Sequence, residues 1–166
     1  ATVGAKTYLS DLKNICEYDS SEGTFRTIYK GQYTINDASM DQDGIFWLAS
    51  TEGLVRYDPR TGKRELINTS LFQDVASVVA DNQYRIWIGT RRHLFVYSSR
   101  THNFATLEEV DAVLPNEYIF HATLLADNGD VFVGGTTGMT VINSAVHFDT
   151  DEDYTVELLD VLLILF

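Results

Sequence analysis

Phe46-Trp47-Leu48-Ala49-Ser50 returns as Ile86-Trp87-Ile88-Gly89-Thr90 and again as Val131-Phe132-Val133-Gly134-Gly135. The aromatic in second place recurs at spacings of 40 and 45 residues, and a worn copy, Thr7-Tyr8-Leu9-Ser10, places Tyr8 39 residues before Trp47. Self-similarity at this period, built on short β-rich runs, is the pattern of propeller blades. Agreement extends past the aromatic. Gly53-Leu54-Val55-Arg56-Tyr57-Asp58 and Pro59-Arg60-Thr61-Gly62 correspond at an offset of 40 to His93-Leu94-Phe95-Val96-Tyr97-Ser98 and Ser99-Arg100-Thr101-His102. At an offset of 39 they correspond to Asn14-Ile15-Cys16-Glu17-Tyr18-Asp19 and Ser20-Ser21-Glu22-Gly23. The fourth copy keeps Gly138-Met139-Thr140-Val141-Ile142-Asn143 and then loses the pattern.

Each unit parses into four short strands. In the second they fall at 35–40, 45–50, 54–57 and 63–67, with Asp43-Gly44 suited to a tight hairpin turn and Pro59 and Gly62 marking the later one. The third unit places them at 75–80, 85–90, 94–97 and 104–107. No segment keeps the helical apolar period over several turns, and only Glu-rich 106–114 could make a turn of helix. The spacing therefore predicts an all-β chain: a partial β-propeller of about three to four four-stranded blades, incomplete at both ends. Residues 1–34 form an incomplete first blade, 35–74 and 75–118 two full ones, and 119–153 an incomplete last one. The apolar tail 154–166 reads as a strand belonging to whatever follows. Trp47, Trp87 and Phe132 are expected to fill the wedge between neighbouring blades, and Tyr57 and Tyr97 to be strand residues with one wet end.

Composition narrows the function. The chain has 166 residues, 45% of them hydrophobic, enough for a core, and 12 Lys and Arg against 24 Asp and Glu give a net charge of −12. That balance argues against nucleic acid, whose affinity comes from basic side chains releasing counterions. The single cysteine, Cys16, has no internal disulfide partner and aligns with strand positions Val55 and Phe95, so a buried thiol is expected. No apolar stretch reaches the roughly 20 residues that span a bilayer.

The run from Phe46 to Gly62, with Ile86-Trp87-Ile88-Gly89-Thr90 and Asp127-Asn128-Gly129 followed by 131–136, resembles the two-component regulator propeller repeat. The resemblance covers about residues 7–148. It implies the periplasmic sensor region of a hybrid histidine kinase that responds to polysaccharide fragments, in which a small immunoglobulin-like domain follows the last blade. It would place the tail at the entry of that domain and leave the kinase to the rest of the parent protein.

Catalytic motifs are missing from the sequence: it contains no Gly-x-Ser-x-Gly, phosphate loop, paired cysteines or His-Glu-x-x-His. The chain is therefore read as non-enzymatic, with no cofactor. Asp41-Gln42-Asp43-Gly44 and the alternating Asp149, Asp151, Asp153 and Glu157 have oxygen ligands for calcium, but the first also makes the hairpin turn and the second lacks the bending glycine. Ligands are expected on the end formed by the turns joining strand two to three and by the inter-blade connections. There the third copy replaces Thr-x-Gly with Arg91-Arg92-His93, adding forked donors suited to carboxylates or sugar hydroxyls. Phe72, Gln73, Asp74 and Tyr118 share that end, beside Tyr33, Asn116 and Glu117, and could stack on and hydrogen-bond a sugar. The expected partner is an oligosaccharide. The alternatives are a purely structural or dimerising propeller and, less favoured, a polysaccharide-active enzyme. Open end blades are expected to promote self-association through unpaired strand edges.

Overall fold

The computed structural model describes residues 6–67, 70, 72–107 and 116–145, together with the backbone of 2–3 and 161–164. Its strands are β1 (Thr2–Val3), β2 (Lys6–Ser10), β3 (Asn14–Asp19), β4 (Thr24–Lys30), β5 (Ile35–Met40), β6 (Phe46–Ser50), β7 (Gly53–Asp58) and β8 (Lys63–Ile67). They continue as β9 (Ser77–Ala80), β10 (Arg85–Gly89), β11 (Leu94–Ser98), β12 (Phe104–Leu107), β13 (Tyr118–Leu125), β14 (Val131–Gly135), β15 (Gly138–Ile142) and β16 (Val161–Ile164). Four consecutive strands make each of four antiparallel sheets, and the described residues contain no helix. This is an arc of β-propeller blades, the all-β class the repeat predicts.

The repeated second strand is apolar throughout because it is buried on both faces. Successive side chains on a strand point to opposite sides, so Phe46 and Leu48 join Ile15 and Tyr29 of the first sheet, while Trp47 and Ala49 join Val78, Ile86, Phe95 and Tyr97 of the third. One blade on, Ile86 and Ile88 face the second sheet and Trp87 packs with Val131, Val133 and Ile142 of the fourth. Trp47 is 1% exposed and Trp87 0%. A ring of this size buries about 150–250 Å², worth roughly 4–6 kcal/mol as an upper figure. Phe132 is only half-buried, on the opposite side of its strand from Val131 and Val133.

A buried indole needs a partner for its N–H. Trp47 Nε1 donates to Asp41 Oδ2 at 2.8 Å and Trp87 Nε1 to Asp81 Oδ2 at 3.0 Å. The other oxygen of each carboxylate closes the hairpin: Asp41 Oδ1 accepts from the backbone of Asp43 and Ile45, and Asp81 Oδ1 from that of Gln83 and Arg85. In the fourth blade both ends of the pair are gone. Ala126 occupies the aspartate position, with the same backbone turn bonds (Gly129 N to Ala126 O, 2.9 Å), and Phe132 has no N–H to satisfy.

The inner strands are stitched together by side chains. Asn36 Nδ2 donates to Val75 O at 2.7 Å, Ser39 Oγ accepts from Ala80 N at 3.0 Å, and Asp37 Oδ2 accepts from both Val78 N and Thr123 Oγ1 at 3.1 Å. Asp37, on β5, thus reaches β9 of the third sheet and β13 of the fourth.

Several local expectations need correction. The third inner strand begins at Ser77, not 75, because Val75 N still donates to Ser50 O of the preceding sheet. The first sheet, expected as an incomplete blade, contains four strands, its inner one only two residues long. Val161–Ile164, read as part of a following domain, is the outer strand of the fourth sheet, pairing Ile142 with Val161 and Met139 with Ile164. β16 is the second partner of β15 and the fourth strand of that sheet. Residues 108–115, including most of the possible helical turn, and Asp149, Asp151, Asp153 and Glu157 lie outside the described residues. Cys16 is half-buried, with Sγ 3.6 Å from Thr27 Oγ1.

Replacing Asp41 by Ala strands the Trp47 N–H in the core and is expected to cost about 2–3 kcal/mol in chemical denaturation. Trp47→Phe in the same chain should recover part of that loss, as Ala126 and Phe132 coexist in the fourth blade. A double-mutant cycle giving no coupling beyond about 0.5 kcal/mol would rule the pair out as a unit.

Candidate functional site

Antiparallel four-stranded blades sort their loops by end. The turns joining strands two and three lie with the inter-blade connections at one end, and the remaining hairpin turns lie at the other. At the first end, Arg91 follows β10, where Thr90 Oγ1 accepts from the backbone of Arg92 at 3.4 Å and His93 at 3.1 Å and donates to His93 O at 3.1 Å. These bonds close the turn, but its residue types differ from those of the sibling blades.

Arg91 Nε lies 3.3 Å from Asp74 Oδ2, in the connection entering the third blade, and its Nη1 3.7 Å from Glu117 Oε1, in the connection entering the fourth. The guanidinium therefore bridges two carboxylates that precede consecutive inner strands. Asp74 holds φ 53, a left-handed conformation that costs a non-glycine residue steric energy. Arg92, His93 and Gln73 are exposed beside this bridge, and the His93 ring lies 5.8 Å from that of Phe95. His93 is not among the residues with positive φ, so its substitution for the turn glycine carries no left-handed strain. Gly53, its counterpart in the second blade, has φ 135, and a Cβ there would meet Phe72 O at 2.7 Å.

Two of the residues expected to line this end are core. Phe72 is 0% exposed, edge-on to both Phe95 and Phe104. Tyr118 is 3% exposed, with its hydroxyl 3.2 Å from Thr140 Oγ1, and burial pushes its pKa above the ordinary tyrosine value. Neither side chain reaches solvent, so the structure gathers Gln73, Asp74, Arg91, Arg92 and His93 and leaves those two beneath them. Tyr33 is exposed and Asn116 buried, its amide tied to Gly138 O at 3.2 Å and Thr137 Oγ1 at 3.0 Å. The supposed wet ends of Tyr57 and Tyr97 are also bonded, to Ile28 O and to His102 Nδ1 respectively. Sequence alone gave no sign that these hydroxyls had partners outside their own strands.

Asp41 is not arranged to hold a cation, since one oxygen takes the Trp47 indole and the other two backbone N–H groups. Among the described residues no cluster of three or more His, Cys, Asp or Glu is placed to bind a metal, and no helix is long and apolar enough to cross a membrane.

No protein-family model and no curated protein matches the chain. Solved structures do. The extracellular domain of BT3049 of B. thetaiotaomicron, assigned to a hybrid two-component system, matches with a TM-score of 0.69 at 18% identity, covering 84% of this chain and 20% of that one. The corresponding domain of BT4673 from the same organism gives 0.65 at 24% identity, covering 98% and 21%. An auxiliary nutrient binding protein of Bacteroides thetaiotaomicron gives 0.70 at 10% identity, covering 96% and 38%. The chain spans about a fifth of the length of the two sensor domains, and the likeness establishes the propeller fold.

Two outcomes follow. Arg91→Ala breaks two well-exposed ion pairs, the arginine side chain being 66% exposed, and should change stability by less than about 1 kcal/mol. A larger loss in urea titration would show the bridge to be structural. Acid should weaken the fold through other carboxyls. Asp58 is held below the ordinary aspartate pKa by the Arg60 backbone N–H, then by its side chain, and Asp130 by the Ser144 backbone N–H and the Asn128 amide. Asp11 and Asp19 are lowered likewise, first by the side chains of Asn14 and Ser21. A depressed folded pKa means stability that is present above the unfolded value, about 3.9, and lost as pH falls through it and below. The urea midpoint should therefore fall between about pH 5 and pH 3, and a pH-independent midpoint would contradict the assignment.

Proposed function

We propose that this chain is part of the extracytoplasmic sensing propeller of a hybrid two-component sensor, a non-catalytic module that recognises an oligosaccharide released from a polysaccharide and passes the signal across the membrane. The observation that carries the reading is the four-blade arc's match, over 84% and 98% of the chain, to extracellular domains assigned to such systems. The Trp-Ile-Gly-Thr and Tyr-Asp-Pro-x-Thr-Gly elements of the repeat favour the same assignment. In this reading the kinase belongs to the rest of the parent protein and the chain is periplasmic. Gln73, Arg91, Arg92 and His93 offer amide, guanidinium and imidazole donors to sugar hydroxyls, with Asp74 as an acceptor.

A second reading, a structural or dimerising propeller without ligand, is favoured by one feature: Arg91 is already answered by Asp74 and Glu117. The two are separated by probing the purified chain on an array of polysaccharide-derived oligosaccharides and measuring any hit by calorimetry. The sensing role expects saturable binding that weakens at least several-fold in Arg92→Ala. No hit at millimolar ligand, with scattering showing a concentration-dependent oligomer, would replace it by the structural role.

A further inference from the structure

The third blade also breaks the repeat at the end opposite Arg91, and it does so three times in one place. The first hairpin turn carries glycine in the second and fourth blades, Gly44 at φ 76 and Gly129 at φ 87, but Tyr84 at φ 64 in the third. The second hairpin turn carries Gly23 at φ 67 and Gly62 at φ 72, but His102 at φ 62 in the third. Both replacements keep a left-handed backbone that a Cβ makes unfavourable. Local strain of this kind concentrates where a side chain is needed for function.

The third departure releases a charge. In the second blade Asp58 Oδ1 accepts from Arg60 N at 2.9 Å and from Arg60 Nε at 3.3 Å, so that arginine is neutralised within its own turn. In the third blade Ser98 stands at the aspartate position and Arg100 at the arginine position. Arg100 has no carboxylate partner among the described residues, and its guanidinium lies instead over the Tyr84 ring, 3.6 Å from the centroid. Ser99, where the second blade has Pro59, ties the two turns together by donating its N–H to Tyr84 O at 2.9 Å and its hydroxyl to the same oxygen at 3.1 Å. A proline there could make neither bond. The exposed His102 ring is steadied by its Nδ1, 2.8 Å from the Tyr97 hydroxyl. The acid nearest Tyr84 in sequence, Asp81, three residues earlier, is occupied by the Trp87 indole, by the Arg85 side chain and by two backbone N–H groups.

We propose that Tyr84, Arg100 and His102 form an oxyanion subsite that takes the carboxylate or sulfate group of an acidic saccharide. A guanidinium ordered by stacking on an aromatic ring presents its forked donors with little further loss of freedom, and it pairs with planar oxyanions better than a lysine does. The His102 imidazole on the same turn adds a hydrogen bond to a neighbouring hydroxyl. The saccharide class rests on the sensing role proposed above, whereas the location does not, because this subsite lies at the opposite end of the blade from Arg91.

The test is calorimetry of the full chain with three probes: oligogalacturonate, a sulfated glycan fragment and a neutral galactan oligosaccharide. The subsite predicts binding of at least one acidic probe, which distinguishes carboxylate from sulfate, with affinity falling as salt rises. Arg100→Ala should lose about tenfold or more, and Arg100→Lys should recover only part. Tyr84→Gly and His102→Gly should lower affinity while raising the urea midpoint, opposite movements that a packing role would not produce. Acidic binding unaffected by Arg100→Ala but lost in the Arg91 and Arg92 variants would overturn the subsite and leave the sensing role standing. Binding of the neutral probe alone would do the same, and binding of no saccharide would remove both.

Discussion

Burying a tryptophan on a strand that is covered on both faces is possible only if its N–H is satisfied inside the blade. The aspartate six residues earlier does this while its second oxygen closes the hairpin, so one carboxylate sets the turn, the ring orientation and the face the ring presents to the next blade. In the second and third blades the neighbouring positions follow from that unit. The adjacent residues Phe46 and Ile86 then face the preceding blade by strand alternation, and the loop ends emerge where the turns are closed. In the fourth blade the acid and the indole are lost together while the backbone turn bond remains.

Much of this was legible from the chain alone, because periodicity is a property of sequence. The second strands around Trp47, Trp87 and Phe132 and the turns at Gly44 and Gly62 were all visible in the register of the copies. What escaped was whatever depends on contacts between blades. Phe72 sits in a connecting segment and Tyr118 at the head of β13, both beside residues whose composition suits a loop surface, yet each aromatic ring is buried in the core. Asn36, Asp37 and Ser39 look like ordinary polar strand residues. Their role appears only when β9 is beside them with unpaired backbone groups. The outer strand of the fourth sheet was hidden because it follows a long interval and lacks the repeat.

The two ends of the third blade handle positive charge differently. At one, Arg91 is held between Asp74 and Glu117. At the other, Arg100 has been freed from a carboxylate and laid on an aromatic ring. Both arrangements arise from deviations in a single copy while its core positions stay faithful to the pattern, so turn residues vary without loss of the packing between blades.

Blades in a propeller are commonly treated as a row of units, each dependent on its immediate neighbours. Asp37 breaks that independence. Its carboxylate on the second blade accepts from Val78 N on the third and Thr123 Oγ1 on the fourth, and the His121 ring, held at φ 57, approaches it to 3.3 Å. Peeling the fourth blade away therefore removes a hydrogen-bond donor from the second, although an entire sheet stands between them. The arc consequently opens less like a zipper than like a hinge with a shared pin, and the Val78 amide is the backbone site where such coupled opening would register in hydrogen exchange.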